Sequence, residues 1–174
     1  MTSDIVLFDG DRHNLGFDLI INANARGSIR IAEGNEETMR QLVESKRADI
    51  IAIAERIPKD SLHFRRTAID SVICELARKK GIVLAFSFSS ILNARDRALV
   101  MGRMMQSIRL CRKHKVKMAF SSFARDKWEM RAPEELKAFA RVLGMTPNEA
   151  ESAINAVEWV AEDRKRVNGV RILE

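Results

Sequence analysis

Short apolar segments alternate with longer amphipathic segments over most of this chain, and this alternation limits the folds that it can adopt. Between residues 35 and 122, three helical patterns alternate with three strand patterns: Asn35–Ala48, Asp49–Glu55, Thr67–Gly81, Ile82–Phe88, Ala94–His114 and Val116–Ser122. Strands that are apolar throughout are typical of a parallel sheet covered on both faces, and such repeats need right-handed crossovers. The sequence therefore predicts an α/β fold, as a barrel or as an open wound sheet, in a single domain over residues 1–174.

Both ends of the chain extend this pattern. Three strand patterns precede residue 35, and two helical patterns and a last short strand follow residue 132: Asp4–Phe8, Phe17–Ala23, Gly27–Ala32, Pro133–Gly144, Thr146–Arg166 and Gly169–Glu174. Asn35 is predicted to cap the helix that follows it, and a break is allowed for within the long helical pattern at residues 146–166. Because 46% of the residues are hydrophobic, the chain has enough apolar side chains for a core.

Positive charge is concentrated in one part of the chain. The whole sequence has 30 Lys and Arg residues against 24 acidic residues, but residues 95–131 alone hold eleven of these basic residues and only three acidic ones. Such a segment favours a polyanionic partner, above all nucleic acid. A solvated surface, or contact with an acidic protein, would also account for it. The candidate RNA-binding or partner-contacting residues are Arg95, Arg109, Arg112, Lys113, Lys115, Lys117, Arg125, Lys127 and Arg131.

Trp128 lies among three of these basic residues in a predicted loop. An aromatic ring beside arginine can stack on unpaired bases. Alternatively, the indole packs beneath the loop as a plug, with its N–H bonded to backbone. We favour the plug, with the basic residues around its rim. On the preceding helix, Ala98, Met101, Met104, Met105, Ile108 and Cys111 share one face at helical spacing, and this stripe is predicted to face the core.

Few residues offer catalytic chemistry. Asp9, Asp11 and His13 lie close together after the first strand, as metal ligands often do, but an Asp-Gly turn accounts for the aspartates as well. The strand-end serines Ser87, Ser121 and Ser122 have no neighbouring base in the sequence, so they are expected to cap helices or to contact phosphate. We predict no catalytic residue, no metal site and no cofactor bound by the chain.

The sequence also bears on the location of the protein. No apolar segment approaches the length of about 20 residues that spans a bilayer. Cys74 and Cys111 are isolated cysteines in apolar helical patterns, which predicts small buried thiols in a reducing compartment. A cytoplasmic location without a membrane partner is expected.

A set of motifs in residues 65–174 resembles a known family. In order, these are a helix that begins Ile69-Asp70, a strand that ends Phe86-Ser87, a basic helix, a strand that ends Ser121-Ser122, and the residues Trp128, Glu129, Arg131, Pro133, Gly144 and Met145. Together they are similar to the archaeal ribonuclease P protein component 3 family, which includes the eukaryotic subunit shared by ribonucleases P and MRP. This sequence departs from many relatives in having Ser89 where they carry a basic residue, and no histidine in the loop after Ser122.

The resemblance implies a TIM-like (β/α) barrel of the polymerase-and-histidinol-phosphatase type, incomplete if the short segment before the match supplies fewer strands. It implies a non-catalytic subunit of ribonuclease P, whose RNA removes the 5′ leader of precursor tRNA and requires Mg²⁺. The implied partners are that RNA, other ribonuclease P proteins (especially one small partner protein) and, indirectly, precursor tRNA. Two alternatives stay open: a metal-dependent phosphoesterase of the same barrel superfamily, and a protein-docking module that makes no RNA contact.

Overall fold

Parallel strands form the centre of the molecule. The computed structural model describes residues 1–9, 15–24, 29–55 and 66–167. Six strands lie within these residues: β1 (Ser3–Val6), β2 (Leu19–Asn22), β3 (Ile31–Gly34), β4 (Ile50–Ile53), β5 (Val83–Ser87) and β6 (Met118–Ser121). Every paired strand runs parallel to its neighbour, as the apolar strand patterns predicted.

The strands form two sheets that join edge to edge into one wall of strands. One sheet has the order β3-β4-β5-β6, and the other pairs β1 with β2. A parallel bridge between Val6 and Ala124 connects them, with the Leu7 amide donating to the Ala124 carbonyl at 2.8 Å. The wall therefore runs β3-β4-β5-β6-β1-β2. A complete TIM barrel has eight strands, and the described part of this chain supplies six.

Helices follow most of the strands. Their bounds are α1 (Met39–Ser45), α2 (Ser71–Lys80), α3 (Phe88–Leu92), α4 (Arg97–Lys113), α5 (Pro133–Val142), α6 (Pro147–Ile154) and α7 (Ala156–Val167). Side chains fix several helix starts: Asp70 accepts a hydrogen bond from the Ile73 amide at 2.7 Å, and Asp96 accepts one from the Leu99 amide at 2.9 Å. No described helix is both long enough and apolar enough to cross a membrane.

The two faces of the strands pack into separate cores. Alternate residues of β4, Ile51 and Ile53, lie in the outer core between the strands and the helices. The residues between them, Ile50 and Ala52, lie in the inner core with Ala85 of β5. This period of two is what a strand covered on both faces produces. Helix α7 contributes Ala156, Val157 and Val160 to the inner core, so it packs against the inner face of β1 and β6.

Several predicted elements differ from those in the structure. Helix α1 is shorter than predicted, and Asn35 does not cap it: its side-chain oxygen accepts hydrogen bonds from the Glu37 and Thr38 amides in the turn that precedes α1. The third strand lies at 31–34 instead of 27–32. Helix α3 was not predicted. The helical pattern at 146–166 is broken at Asn155. The predicted last strand, Gly169–Glu174, lies outside the described residues.

The core stripe of α4 is largely confirmed. Met104, Ile108 and Cys111 are buried, and Met101 and Met105 pack against the core, whereas Ala98 is exposed. Both cysteines are buried and form no disulfide, as predicted.

Candidate nucleic-acid interface

The loop between β6 and α5, residues 122–132, places Trp128 in solvent. We call this segment the tryptophan loop. The Trp128 side chain is 73% exposed, so the predicted plug is wrong. Met130 and Phe123 are buried on the inner side of the loop, where Met130 packs with Val6 and Ala124. Because a thioether side chain already fills the space beneath the loop, the indole is directed outward.

Glu129 holds the base of the tryptophan loop. Its carboxylate accepts hydrogen bonds from Ser89 Oγ at 3.0 Å, from Asn93 Nδ2 at 2.7 Å and from the Arg125 amide at 2.9 Å. Burial alone would raise the pKa of Glu129, but these three hydrogen bonds outweigh it and leave the pKa below its ordinary value. The ionised Glu129 side chain therefore ties the loop to helix α3 and to Asn93, the residue that follows α3.

Basic side chains surround the exposed indole. Lys127 Nζ lies 5.1 Å from the centroid of the Trp128 ring. Arg131 donates from Nη1 to the Trp128 carbonyl at 2.9 Å and to the Met130 carbonyl at 2.7 Å, and its guanidinium lies over the Phe88 ring. Arg125 is exposed, and so is Arg95, which precedes α4 at the same edge of the wall. We call Arg95, Arg125, Lys127 and Arg131 the carboxyl-edge group, because they lie beyond the carboxyl ends of β5 and β6.

The other predicted basic residues lie at the opposite edge or between the two edges. Helix α4 has 17 residues, about 25 Å of rise, and runs back from the carboxyl edge to the amino edge of the strands. Four exposed basic residues lie at the end of α4 or between α4 and β6. These are Arg112, Lys113, Lys115 and Lys117, which we call the amino-edge group. Arg109 is exposed one turn before Lys113, and both line a groove of about 760 Å³ beside α2. The predicted residues therefore do not share one face.

Two members of the amino-edge group have partners within the chain. Arg112 donates from Nε to Glu149 at 2.7 Å and from Nη2 to the Gly144 carbonyl at 2.6 Å, so it joins the end of α4 to the start of α6. Lys117 Nζ lies 5.8 Å from the centroid of the Trp159 ring, beside a groove of about 330 Å³. Because Arg112 is held in a hydrogen-bonded ion pair, its main role is to stabilise the packing of α4 against α6.

The strand-end serines serve the fold. Ser87 accepts a hydrogen bond from the Ser90 amide at 3.1 Å and so caps α3, which is one of the two roles predicted for it. Ser121 and Ser122 are buried and bind the carboxyl group of Asp4, Ser122 through both its amide (2.7 Å) and its hydroxyl (2.6 Å). Both hydroxyls are buried and hydrogen-bonded to Asp4. They are therefore not placed to contact phosphate, which was the other role predicted for them. Burial raises the pKa of Asp4 despite these donors.

A small cavity of about 270 Å³ opens at the carboxyl edge. Its polar lining includes Asn24, Glu33, Ser89 and Arg125. Within the described residues, no group of three or more His, Cys, Asp or Glu side chains is placed to hold a metal ion. Of the metal-like sequence cluster, Asp9 accepts a hydrogen bond from Asn22, and Asp11 and His13 lie outside the described residues. The described carboxyl edge thus offers cations and hydrogen-bond donors for binding.

Comparison with known proteins identifies the family. The family model described as RNase P subunit p30 matches residues 24–167, which is most of the chain. The chain belongs to the RNase P subunit p30 family. Among curated relatives, ribonuclease P protein component 3 of Thermococcus kodakarensis is 32% identical over 88 residues, 49% of this chain and 40% of that protein. The Methanosarcina acetivorans protein of the same name is 24% identical over 159 residues, 87% of this chain and 64% of that protein.

Solved structures support the fold of this p30 family member. A cryo-EM structure of archaeal ribonuclease P with mature tRNA contains a chain with a TM-score of 0.69 and 24% identity, covering 84% of this chain and 62% of that one. A crystal structure of an amidohydrolase gives a TM-score of 0.53 at 15% identity, covering 83% of this chain and 35% of that one. These likenesses show the TIM-like α/β fold. The chain spans less than two thirds of the length of the curated relatives described above.

Sequence reasoning missed one buried polar cluster in this p30 family member. Glu55 follows β4 and is 1% exposed, and its Oε1 accepts a hydrogen bond from Ser107 at 3.1 Å. Arg103, also 1% exposed, donates to the Glu55 backbone carbonyl at 3.0 Å. A signal was present in the sequence: Arg103 and Ser107 are one turn apart and flank Met104 and Ile108 on the stripe predicted to face the core.

Proposed function

We propose that this chain is a non-catalytic protein subunit of ribonuclease P, which supports the catalytic RNA in removing the 5′ leader of precursor tRNA. The observation that carries this proposal is the match of the RNase P subunit p30 family model over residues 24–167. The exposed cations at both edges of the strand wall support it, since they suit contact with phosphates. In this proposal the RNA, with its Mg²⁺, performs the cleavage, and the chain supplies no reacting group.

The proposed mechanism is electrostatic. Folded RNA brings phosphates close together, and Mg²⁺ normally offsets their repulsion. Lys and Arg side chains that contact phosphates replace part of that counterion requirement, so the RNA reaches its active fold at lower Mg²⁺. Since the two basic groups are separated by about the length of α4, roughly 25 Å, they would contact different segments of the RNA, or RNA at one edge and a partner at the other.

We also propose contact with other ribonuclease P proteins, above all one small partner protein, and only indirect contact with precursor tRNA. Two exposed apolar side chains on the outer helices support a protein contact: Val72 on α2 is 52% exposed and Val142 on α5 is 59% exposed. The groove of about 760 Å³ beside α2 carries both acidic and basic side chains, including Asp70 and Arg109, and suits a polar partner surface.

Reconstitution tests the proposed function. The purified chain is mixed with ribonuclease P RNA and the other subunits, or left out, and 5′-leader cleavage of precursor tRNA is followed as Mg²⁺ is lowered. We expect cleavage at low Mg²⁺ to depend on the chain, and the chain alone to cleave nothing. Unchanged cleavage when the chain is omitted would overturn the proposal.

A charge variant tests the mechanism. Replacing Arg109, Lys113, Arg125 and Lys127 with alanine should raise the Mg²⁺ needed for half-maximal cleavage, because four phosphate-neutralising groups are lost. The matched control replaces four exposed basic residues outside residues 95–131, namely Arg47, Arg78, Lys79 and Arg141, and so removes the same charge. An equal Mg²⁺ shift in both variants would mean that only net charge matters, and no shift in either would exclude the electrostatic mechanism.

A further inference from the structure

Trp128 is exposed to an extent unusual for a large aromatic residue. At 73% exposure it shows more of its side chain to solvent than the other large apolar residues exposed in the described part of the chain, which are Met1, Leu15, Val72 and Val142. None of those four belongs to the tryptophan loop. An indole held in water gives up the favourable burial of a large apolar area, so its position calls for an occupant that covers the ring.

The loop holds the indole in a defined place. The Trp128 amide donates to Asp126 Oδ1 at 2.8 Å, and the Trp128 carbonyl accepts from Arg131 Nη1 at 2.9 Å. Glu129, the next residue, is fixed by Ser89, Asn93 and the Arg125 amide. The backbone on both sides of Trp128 is therefore fixed before any ligand arrives, which lowers the ordering cost of binding.

The surroundings of the ring suit a phosphate-bearing ligand. Lys127 Nζ lies 5.1 Å from the ring centroid, and Arg125 and Arg131 flank the loop. Asp126 and Glu129, the acidic residues of the loop, accept hydrogen bonds from its own backbone and from neighbouring side chains. An aromatic ring beside cations that can reach a phosphate is the arrangement with which proteins bind unpaired nucleotides.

We propose that Trp128 stacks against an unpaired base of RNA, with Lys127 and Arg125 contacting its phosphates. This inference rests on the proposed function and adds the residue and the kind of RNA element. A paired base presents no open face to a side chain, so a duplex does not fit. A protein hot spot is less well matched, because protein interfaces are depleted in lysine and acidic residues, whereas Asp126, Lys127 and Glu129 lie beside Trp128 in the sequence.

Fluorescence tests the stacking directly. The chain has two tryptophans, so Trp159→Phe leaves Trp128 as the only indole. In that background we expect a short single-stranded oligouridylate to quench the emission, and an RNA duplex of the same length, or an abasic strand with the same phosphates, to quench it far less. Trp128→Ala should weaken oligouridylate binding about tenfold, Trp128→Phe should retain most of the affinity, and Leu15→Ala, which removes another exposed apolar side chain, should have no effect.

The reconstituted enzyme separates the two sources of an unpaired base. If the base comes from the 5′ leader, Trp128→Ala should raise KM for a precursor tRNA with a long leader and leave KM for a minimal leader unchanged. If it comes from the catalytic RNA, Trp128→Ala should raise the Mg²⁺ requirement equally for both precursors. Either pattern supports the stacking, and the first would replace the proposed indirect contact with precursor tRNA by a direct one.

Other outcomes overturn it. Equal quenching by the abasic strand and by oligouridylate, or unchanged affinity of Trp128→Ala, would exclude stacking. If stacking were excluded in this way but cleavage still depended on the chain, the proposed function would stand and only the stacking inference would fail. Release of Trp128→Ala from the protein subunits, with RNA binding intact, would make the ring a protein contact and would also overturn the inference. Selective quenching by the single strand with no effect of the chain on cleavage would instead contradict the proposed function alone.

Discussion

Glu55 shows how a single buried carboxyl group can make stability depend on pH. Burial raises the pKa of Glu55 to about 7, against the opposing effects of the Ser107 hydrogen bond and the charge of Arg103. Its Oε2 is buried and has no hydrogen-bond partner among the described residues. At neutral pH the folded chain therefore holds a carboxyl group that is close to half protonated.

The pH dependence follows from the raised pKa. Between pH 4.5, the ordinary pKa of this side chain, and about pH 7, the unfolded chain loses the Glu55 proton while the folded chain keeps it. The folded state binds more protons in this window, so the free energy of unfolding falls as pH rises, by up to about 3 kcal/mol. Glu55→Gln keeps an acceptor for Ser107 and should remove this part of the slope.

Urea unfolding between pH 5 and 8 measures that slope. The control is Glu44→Gln, which changes an exposed carboxylate and should leave the pH profile like that of the original chain. A profile for Glu55→Gln that runs parallel to the original would show that Glu55 ionises at its ordinary pKa.

At the scale of single elements, Asp70 fixes where α2 begins. It is part of the Ile69-Asp70 motif that carried the family resemblance, and its carboxylate accepts the Ile73 amide at 2.7 Å. Asp70→Ala should lower the free energy of unfolding by about 1 kcal/mol, whereas Asp70→Asn should change it by a few tenths at most, because Asn also caps helices. Thermal unfolding of the two variants checks this, and equal losses would contradict capping as the role of Asp70.

Elements differed in how well the sequence predicted them. Helices α2 and α4 were found within a few residues of their bounds, because each has a capping aspartate and an apolar stripe at helical spacing. Helix α1 was predicted too long, since Asn35 serves a turn and not a cap. Local patterns predict local structure. They also predicted the parallel α/β class, because a strand that is apolar throughout is one that is buried on both faces.

The candidate site was less predictable, because its contacts join distant parts of the chain. Whether Trp128 or Met130 fills the space beneath the loop depends on Val6, which comes from β1. Arg112 looked like a phosphate contact, but it pairs with Glu149 on another helix. Ser122 looked available, but Asp4 holds it. Each of these partners is far away in the sequence, so a local sequence pattern does not predict it and only the fold shows it.

At the scale of the whole molecule, Asp4 joins the two sheets. Its carboxyl group accepts hydrogen bonds from the Ser121 and Ser122 hydroxyls and from the Ser122 and Ile5 amides. These bonds lie beside the Val6–Ala124 bridge, which is the backbone link between the two sheets. One buried carboxyl group therefore adds several hydrogen bonds between β1 and the end of β6 to the backbone bridge that joins the two sheets.

Removal of this group should destabilise the protein strongly. Asp4→Ala leaves several buried donors unsatisfied, and we expect a loss of about 3 kcal/mol or more in the free energy of unfolding. Asp18→Ala is the control: the Asp18 carboxylate also accepts a backbone amide, from Thr2, but it is exposed, and its loss should lower the free energy of unfolding far less than the loss of Asp4. Similar losses in the two variants, measured by urea unfolding, would contradict the role of Asp4.

The link between Asp4 and Ser122 also sets an order of events during synthesis. The two residues are 118 positions apart in the chain. At about 5–20 residues per second, β6 is made roughly ten seconds after β1. During that interval β1 lacks its β6 neighbour, and such unpaired parallel strands fold slowly and expose an edge. The nascent protein therefore exposes one edge of β1 until β6 is made, and its early aggregation behaviour should depend on how fast translation reaches residue 124.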